Sequence, residues 1–461
     1  MKWEQLLNPK RPRPSSRPDD HREEFERDFD RSIFSAPVKR LQDKTQVFPL
    51  EPHDAVRTRL THSLEVSSVA RGLATLVCQW LLEQREILPP MEGQITAIAK
   101  TCGLIHDLGN PPFGHAGEIA IQGWFRSRFP VDPKSTLDPL ATVLNDDEQL
   151  VGDFRKFEGN AQTLRLVSKL QILADQNGLN LTFGTLSAAC KYISPSHKTD
   201  GTQHAKSKPG YFASENRLVE RLRDETGTGP ARNPITFLVE AADDIVYSVC
   251  DVEDGIKKGV IRWRDVEDVL RSKLKDQADE IIKLKDMILK TGKSAPEDLP
   301  DDIHGTAFRS VAIGLLVRDV VNSFIERYEA IMEGSYFGEL ITEGSHTALV
   351  DCLKEIGRSK VYCTPSTLKL ELMGRRIICD LMDLFWEGAR QLSGDGKFKT
   401  KDFSGKILAL VSENYRRVFL NSISEMKELP VAYHRLQLVT DYVCGMTDSF
   451  AKQLHSEVSN G

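Results

Sequence analysis

Apolar residues recur every three to five positions along most of the chain, which is the period of an amphipathic helix. The segment 57–84 has this spacing, and 95–105 repeats it until Gly109 and a double proline end the helix. Alternation typical of strands is rare, and we expect short extended pieces only near 44–50 and 178–183. The pattern predicts an all-α protein. Further helical patterns cover 117–128, 160–175, 215–224, 234–256, 265–290, 306–332, 345–357, 365–392, 404–425 and 430–455.

Two segments interrupt the helical pattern. The N-terminal one contains prolines and the basic residues Arg11, Arg13 and Arg17 before a dense run of charges, so we expect a flexible or partner-bound arm. Residues 291–305 contain two prolines, two glycines and four acidic residues, which is typical of a linker. The predicted divisions are an arm over 1–30, a helical core over 31–290, the linker over 291–305 and a C-terminal helical region over 306–461.

Composition limits the class of protein. Of 461 residues, 40% are hydrophobic and 28% charged, as in soluble globular proteins. No apolar run reaches the roughly 18 to 20 residues of a membrane span, and the N-terminus lacks the apolar segment of a signal peptide, so we expect a cytoplasmic protein without membrane contact. Eight cysteines without a CxxC pair indicate buried thiols rather than disulfides or a zinc site. The net charge of −6 disfavours nucleic-acid binding over the whole surface but does not exclude a local basic pocket.

Residues capable of binding a metal concentrate in or at the ends of apolar helices. A buried carboxylate or imidazole needs a partner or a cation, since burial alone costs several kcal/mol. Imidazoles together with carboxylates suit Mn²⁺, Fe²⁺, Co²⁺, Zn²⁺ or Mg²⁺. The alternative is that these are satisfied core histidines and a chance His-Asp pair. The residues are His62, the adjacent His106 and Asp107, and the acidic Asp243, Asp244 and Asp251.

The loop that follows the His-Asp pair favours the metal interpretation. Gly109, Gly114 and Gly117 surround the double proline, which stiffens the turn while the glycines allow close backbone approach. His115 and Glu118 are three residues apart at the start of the next helix, so both are expected on one face, where the carboxylate can orient the imidazole for proton transfer. A capping glutamate and a solvent-exposed histidine are the alternative.

Longer strings carry a family resemblance over nearly the whole chain. The order His62, His106-Asp107, Asp243 resembles the signature of the HD-domain phosphohydrolases. Nine longer sequence strings narrow this resemblance to the bacterial deoxyguanosinetriphosphate triphosphohydrolases. The resemblance implies an HD-domain helical core elaborated by a C-terminal helical region. The strings are KTQVFPLE (44–51), RTRLTHSLEV (57–66), HDLGNPPFGHAGE (106–118), FEGNAQ (157–162), CKY (190–192), KPGYF (208–212), EAADDIVY (240–247), DVEDG (251–255) and DYVCGMTD (441–448).

The resemblance also implies roles for individual residues. One divalent cation, Mg²⁺, Mn²⁺ or Co²⁺, is expected on His62, His106, Asp107 and Asp243. Asp244 points about 100° away on the same helix and is expected in a salt bridge. His115 and Glu118 match the catalytic pair. The expected substrate contacts are Arg59, Asn160, Lys191, Tyr192 and Lys208 at the phosphates, Gln46, Tyr247 and Asp251 at the sugar, and Arg376 at guanine.

The implied reaction is hydrolysis of dGTP to deoxyguanosine and inorganic triphosphate, with water attacking the α-phosphorus. Whether His115 assists the nucleophile or protonates the leaving oxygen stays open. Alternatives are a broad dNTP triphosphohydrolase, another HD-domain nucleotide hydrolase, and a non-catalytic nucleotide- or nucleic-acid-binding regulator. The family resemblance further implies a homo-oligomer, usually a hexamer, and the basic arm leaves a contact with single-stranded DNA open.

Overall fold

The protein is all-α, as its hydrophobic pattern predicts. The computed structural model describes residues 1–14, 22–50, 55–131, 138–170, 177–290 and 299–459. Within them, the strands are a short parallel pair, β1 (Ser194–Pro195) and β2 (Pro209–Tyr211). The expected extended pieces are wrong: Thr45 forms only an isolated bridge with Thr58, and 178–183 is a turn leading into a helix. No helix of the described part is long and apolar enough to cross a membrane.

Helices follow one another along the described residues. They are α1 (Trp3–Leu6), α2 (Glu24–Ile33), α3 (Ala36–Arg40), α4 (Arg59–Glu83), α5 (Pro89–Ile105), α6 (Gly114–Arg128), α7 (Pro139–Val143), α8 (Glu148–Arg155), α9 (Gly159–Arg165), α10 (Phe183–Ala188), α11 (Asn216–Thr226), α12 (Pro234–Lys257), α13 (Trp263–Leu274), α14 (Asp276–Leu289), α15 (Asp301–Glu326), α16 (Tyr328–Glu333), α17 (Thr347–Ile356), α18 (Pro365–Ala389), α19 (Phe403–Leu410), α20 (Glu413–Glu425), α21 (Val431–Cys444) and α22 (Asp448–Ser459).

The main core lies between α4, α5, α12 and α15, whose facing apolar side chains are fully buried. Helices α4 and α5 approach closely because Gly103 has no side chain: a Cβ there would lie 2.7 Å from the Cα of Ser67. The close approach places the end of α5, with His106, beside the start of α4, with His62. Helix α12 packs against both and carries Asp243 to the same place.

The C-terminal helices form a second core with α6. Helix α18 packs along α6, and α21 and α22 pack on α18. Gly374 of α18 makes room for the ring of Phe113, which immediately precedes α6; a Cβ at this glycine would meet the ring at 2.6 Å. The C-terminal region therefore covers the turn that leads into His115.

The expected segment boundaries need correction. Trp3 and Leu6 are buried, and the Arg11 guanidinium lies 2.6 Å from Asp28, so residues 1–14 belong to the folded body. Arg17 lies outside the described residues. Of the expected linker, 291–298 lies outside the described residues, whereas 301–305 already forms the first turn of α15. All eight cysteines are free thiols, and most are buried; Cys363 is exposed.

Candidate metal centre and active site

Four side chains converge at one end of the main core: one from α4, one from α12 and two from the turn that follows α5. The Asp243 Oδ1 atom lies 3.1 Å from His62 Nε2 and 3.4 Å from His106 Nε2. Asp107 Oδ2 lies 3.5 Å from the same His106 nitrogen. The expected ligands are thus neighbours, although His62 and Asp243 are 181 positions apart.

His106 is prepared to act as a metal ligand. Its Nδ1 lies 2.8 Å from the carbonyl oxygen of Gly103, which favours the tautomer with the proton on Nδ1 and a lone pair on Nε2. Nε2 is buried and has no hydrogen-bond partner. Carboxylate oxygens of Asp243 and Asp107 lie 3.4 and 3.5 Å from this nitrogen without a hydrogen bond to it, and such a group of donor atoms fits a shared cation.

Electrostatics agree with a cation site. Burial disfavours the charged form of His106, but the carboxylates of Asp107 and Asp243 outweigh it and raise its pKa to about 9. Burial likewise opposes ionisation of Asp243, yet the nearby His106, His62 and Lys191 hold its pKa well below the usual range. The pocket therefore favours positive charge at its centre.

Basic side chains surround the ligand cluster. The Arg59 guanidinium pairs with Asp107 and donates from Nε to the carbonyl oxygen of Thr45 at 3.0 Å. Lys191 Nζ lies 3.9 Å from Asp243 Oδ2. The Tyr192 ring is near both Lys191 and Lys208, whose ammonium groups are 6.0 and 5.8 Å from its centre. This local basic patch contrasts with the chain's net charge of −6.

An open pocket adjoins the ligand cluster. It has about 450 Å³ of empty space, and His106, Asp107, Asn160, Lys191 and Asp243 are among the residues that line it. Five expected site residues thus face one cavity.

His115 and Glu118 lie on the first turn of α6, but no hydrogen bond joins them in the described structure. His115 is exposed, and partial burial of its ring together with the charge of Lys208 lowers its pKa. Glu118 is 6% exposed, and burial and the charge of Glu158 raise its pKa to about 7. Glu118 therefore has a carboxyl that can hold or release a proton near neutral pH.

Glu158 is a site residue that sequence reasoning missed. It accepts a hydrogen bond from the Asn160 side chain at 2.7 Å and pairs with Lys208 at 3.0 Å. Its charge also bears on the pKa values of Glu118 and His115. The signal was present in FEGNAQ, where an acidic residue precedes a helix start as a cap.

A second group of expected contacts lies two helical turns beyond Asp243. Tyr247 and Asp251 follow at steps of four on α12, and Asp251 Oδ1 is buried without a partner. Gln46, in the segment before α4, also has a buried side-chain oxygen without a partner. Tyr362, which sequence reasoning missed, donates to Asp251 Oδ2 at 2.6 Å and lies parallel to the Tyr247 ring at 6.4 Å between centres. Burial raises the pKa of Asp251 to about 8.

Similar proteins identify the family. No protein-family model matches the chain. A Listeria innocua protein named deoxyguanosinetriphosphate triphosphohydrolase-like protein is 37% identical over 100% of this chain and 99% of its own length. A Pseudomonas aeruginosa protein named probable deoxyguanosinetriphosphate triphosphohydrolase is 32% identical, covering 95% of this chain and 93% of its own. A Salmonella schwarzengrund deoxyguanosinetriphosphate triphosphohydrolase is also 32% identical, covering 93% and 92%.

The chain belongs to the deoxyguanosinetriphosphate triphosphohydrolase family. The resemblance drawn from its sequence motifs is confirmed at the level of the family.

In this member of the triphosphohydrolase family, two expectations concern residues outside the pocket. Asp244 pairs with Lys354 at 3.2 Å, as expected for a structural salt bridge. Arg376 is largely exposed on α18 and pairs with Asp380 at 2.8 Å, and no described contact joins it to the pocket. Guanine contact by Arg376 therefore stays a prediction without structural support.

A second cluster of His and acidic residues in this triphosphohydrolase relative is an ion network. His204 lies 2.8 Å from Glu240 and 3.4 Å from Glu339. Glu240 is already neutralised by buried Arg232 at 2.6 Å and faces Lys191 at 3.8 Å. Because Arg232 and Lys191 already lie beside the Glu240 carboxylate, it has little attraction left for a metal ion. The cluster instead holds the Lys191 side chain in place.

Proposed function

We propose that the chain hydrolyses dGTP to deoxyguanosine and inorganic triphosphate in a reaction that requires a divalent cation. The observation that carries the proposal is the convergence of His62, His106, Asp107 and Asp243, with the buried, unpartnered Nε2 of His106 among their donor atoms. Relatives over the full chain length bear the name of this activity. Magnesium, manganese and cobalt are the ions proposed for the site.

The four ligands would hold the cation beside the basic groups. A bound divalent ion supplies Lewis acidity towards phosphate oxygens and water. Arg59, Lys191 and Lys208, which pair with Asp107, Asp243 and Glu158, would bind the remaining negative charge of the triphosphate and orient it for in-line attack. Asn160 lines the pocket beside the ligand cluster, and the Tyr192 ring lies near the ammonium groups of Lys191 and Lys208; both side chains would help position the chain of phosphates.

Proton transfer is assigned to His115 and Glu118. Water attacks the α-phosphorus, the bond from that phosphorus to the 5′-oxygen breaks, and the 5′-oxygen takes up a proton. Partial burial and the charge of Lys208 lower the pKa of His115 and so favour its neutral ring, which suits acceptance of a proton from water. Glu118, with a pKa of about 7, can exchange protons in the same range.

Sugar selection is assigned to Tyr247, Asp251 and Gln46. The unpartnered Oδ1 of Asp251 and Oε1 of Gln46 suit hydrogen bonds with the 3′-hydroxyl of the sugar. A tyrosine ring packed against C2′ would exclude a ribose by steric overlap and by leaving its 2′-hydroxyl unpaired. This arrangement supports a deoxynucleotide substrate.

The test is product analysis with each dNTP, each NTP and ppGpp in the presence of Mg²⁺, Mn²⁺ or Co²⁺. We expect equimolar deoxyguanosine and triphosphate from dGTP, and pyrophosphate or orthophosphate instead would overturn the proposal. In H₂¹⁸O, the label should enter triphosphate and not deoxyguanosine, since attack is at phosphorus. Equal turnover of all dNTPs would favour the broad triphosphohydrolase, and binding without turnover would favour a regulator.

Assembly, location and nucleic-acid contact are proposed on the family resemblance. We propose a cytoplasmic homo-oligomer, with a hexamer as the expected state in analytical ultracentrifugation. A contact with single-stranded DNA would show affinity that falls steeply with salt. Arg11 cannot serve such a contact, because it is buried in ion pairs with Asp28 and Glu24.

A further inference from the structure

Asp448, in the C-terminal region, touches two segments that lead into the candidate active site. Its side chain is 2% exposed. Oδ1 accepts a hydrogen bond from the backbone N–H of Phe113 at 2.9 Å. Oδ2 accepts from the backbone N–H of Thr45 at 3.1 Å and also from the Thr45 hydroxyl. One carboxylate thus joins residues that are 68 positions apart (113 − 45) in the chain.

Each of the two segments is directly connected to a proposed site residue, one along the chain and the other by a hydrogen bond. Phe113 lies two residues before His115 and has a φ of +63°, a conformation unfavourable for a bulky side chain. The carbonyl of Thr45 accepts from Arg59, which pairs with Asp107. The carboxylate of Asp448 is therefore linked by short, buried contacts both to the proton-transfer helix and to the phosphate-binding arginine.

The neighbouring Lys44 reinforces the same junction. Its ammonium group donates to the carbonyl oxygen of Asn110 at 2.6 Å and to that of Cys444 at 2.9 Å. The Asn110 side chain in turn donates to Asp107 at 2.6 Å. Contacts from the end of α21 and the start of α22 thus meet the loop between His106 and His115 at two points.

We propose that Asp448 is a positioning residue that holds His115 and Arg59 in register with each other. The inference rests on the function proposed above. Asp448 has no described contact with the ligand cluster, so its effect must pass through Phe113 and Thr45. A displacement of about 1 Å between reacting groups can cost on the order of 10²-fold in rate. The C-terminal region would then contribute to catalysis without touching substrate.

The test compares Asp448→Asn with Asp319→Asn. Asp319 is a matched control because it is also buried and accepts from the N–H of His346 at 2.6 Å and from the Ser345 hydroxyl at 3.0 Å. In Asp448→Asn, the amide oxygen can still accept from the N–H of Phe113 or of Thr45. The amide NH₂ group then faces the other N–H and cannot accept from it. We expect kcat for dGTP to fall about 10- to 100-fold with KM within about threefold, whereas Asp319→Asn should change neither.

A second readout does not depend on turnover. In the intact protein, NMR titration of His115 should give a pKa below the usual value, because its ring is partly buried near Lys208. Asp448→Asn should release the turn and move this pKa upwards, and Asp319→Asn should not. If either kcat or the His115 pKa in Asp448→Asn matched the Asp319→Asn value, the proposal would be overturned.

Two further measurements apply if the Asp448 variant does not fold or the wild-type protein is inactive on dGTP. If Asp448→Asn does not fold, Thr45→Val removes only the hydroxyl contact and should show smaller shifts in the same directions; unchanged kcat and His115 pKa in that variant would contradict the proposal. If wild-type protein releases no triphosphate from dGTP, the proposed function fails, while the His115 titration still decides whether Asp448 positions the helix.

Discussion

Replacing Asp243 and, in a separate variant, its neighbour Asp244 by asparagine tests which of the two carboxylates binds the metal ion. The two residues are adjacent on α12, but their carboxylates have different partners. Asp243 lies 3.1 Å from His62 Nε2 and 3.4 Å from His106 Nε2, whereas Asp244 pairs with Lys354 at 3.2 Å. The same chemical change therefore removes a proposed ligand in one variant and an ion pair in the other.

The magnitudes differ enough to be decisive. At an effective dielectric constant of about 20, two unit charges about 4 Å apart interact by about 4 kcal/mol. Loss of the Asp243 charge beside a divalent cation should therefore cost at least about 4 kcal/mol, or on the order of 10³-fold in affinity. Asp244→Asn loses a partly exposed ion pair worth up to about 1 kcal/mol of folding stability and should leave metal affinity unchanged.

Isothermal titration calorimetry of chelator-treated protein with Mn²⁺ measures the metal affinity directly. The rate of metal-dependent triphosphate release from dGTP measures the effect on turnover. Thermal unfolding of both variants controls for loss of structure. Normal Mn²⁺ affinity in Asp243→Asn, or a large loss in Asp244→Asn, would refute the assignment of ligands.

Three further predictions test the rest of the site. His115→Ala should lower kcat by about 10²–10⁴ with little change in KM, because it removes proton transfer rather than binding, and near-normal turnover would contradict that role. Glu118 has a pKa raised to about 7, so the folded state binds an extra proton between about pH 4.5 and 7 and loses stability as pH rises through this window. The Tm of Glu118→Gln minus the Tm of wild type should therefore increase from pH 5 to pH 8. A Tm difference that stays constant over this range would argue against the raised pKa. Tyr247→Ala should raise GTP turnover relative to dGTP by about 10-fold or more, whereas equal activity on both in wild-type protein would remove the sugar argument.

The candidate site residues could be named from the sequence because they lie in short strings of chemically distinctive residues. His106, Asp107, His115 and Glu118 all lie in one string, HDLGNPPFGHAGE, which runs from the end of α5 through a turn into α6. Steps of four also placed Asp243 and Asp251 on a shared helical face. Both features depend on helix period and turn chemistry, which the sequence expresses directly.

The errors arose where packing decided the outcome. Residues 1–14 look like a solvated arm by composition, but Trp3 and Leu6 are buried and Arg11 pairs with Asp28. Residues 178–183 have β-forming side chains, yet they pass through a turn into α10. Charge and propensity describe single residues, whereas the available partners are set by distant parts of the chain.

The sequence by itself determined the helical class, the family and the identity of the metal-capable residues, because helix period and motif strings are local properties. Only the tertiary structure decided that Glu158 pairs with Lys208, that Tyr362 donates to Asp251, and that Asp448 accepts from the backbone of the turn before α6. These contacts join residues tens to hundreds of positions apart. Their energies exist only once the helices pack, so no spacing rule in the sequence could reveal them.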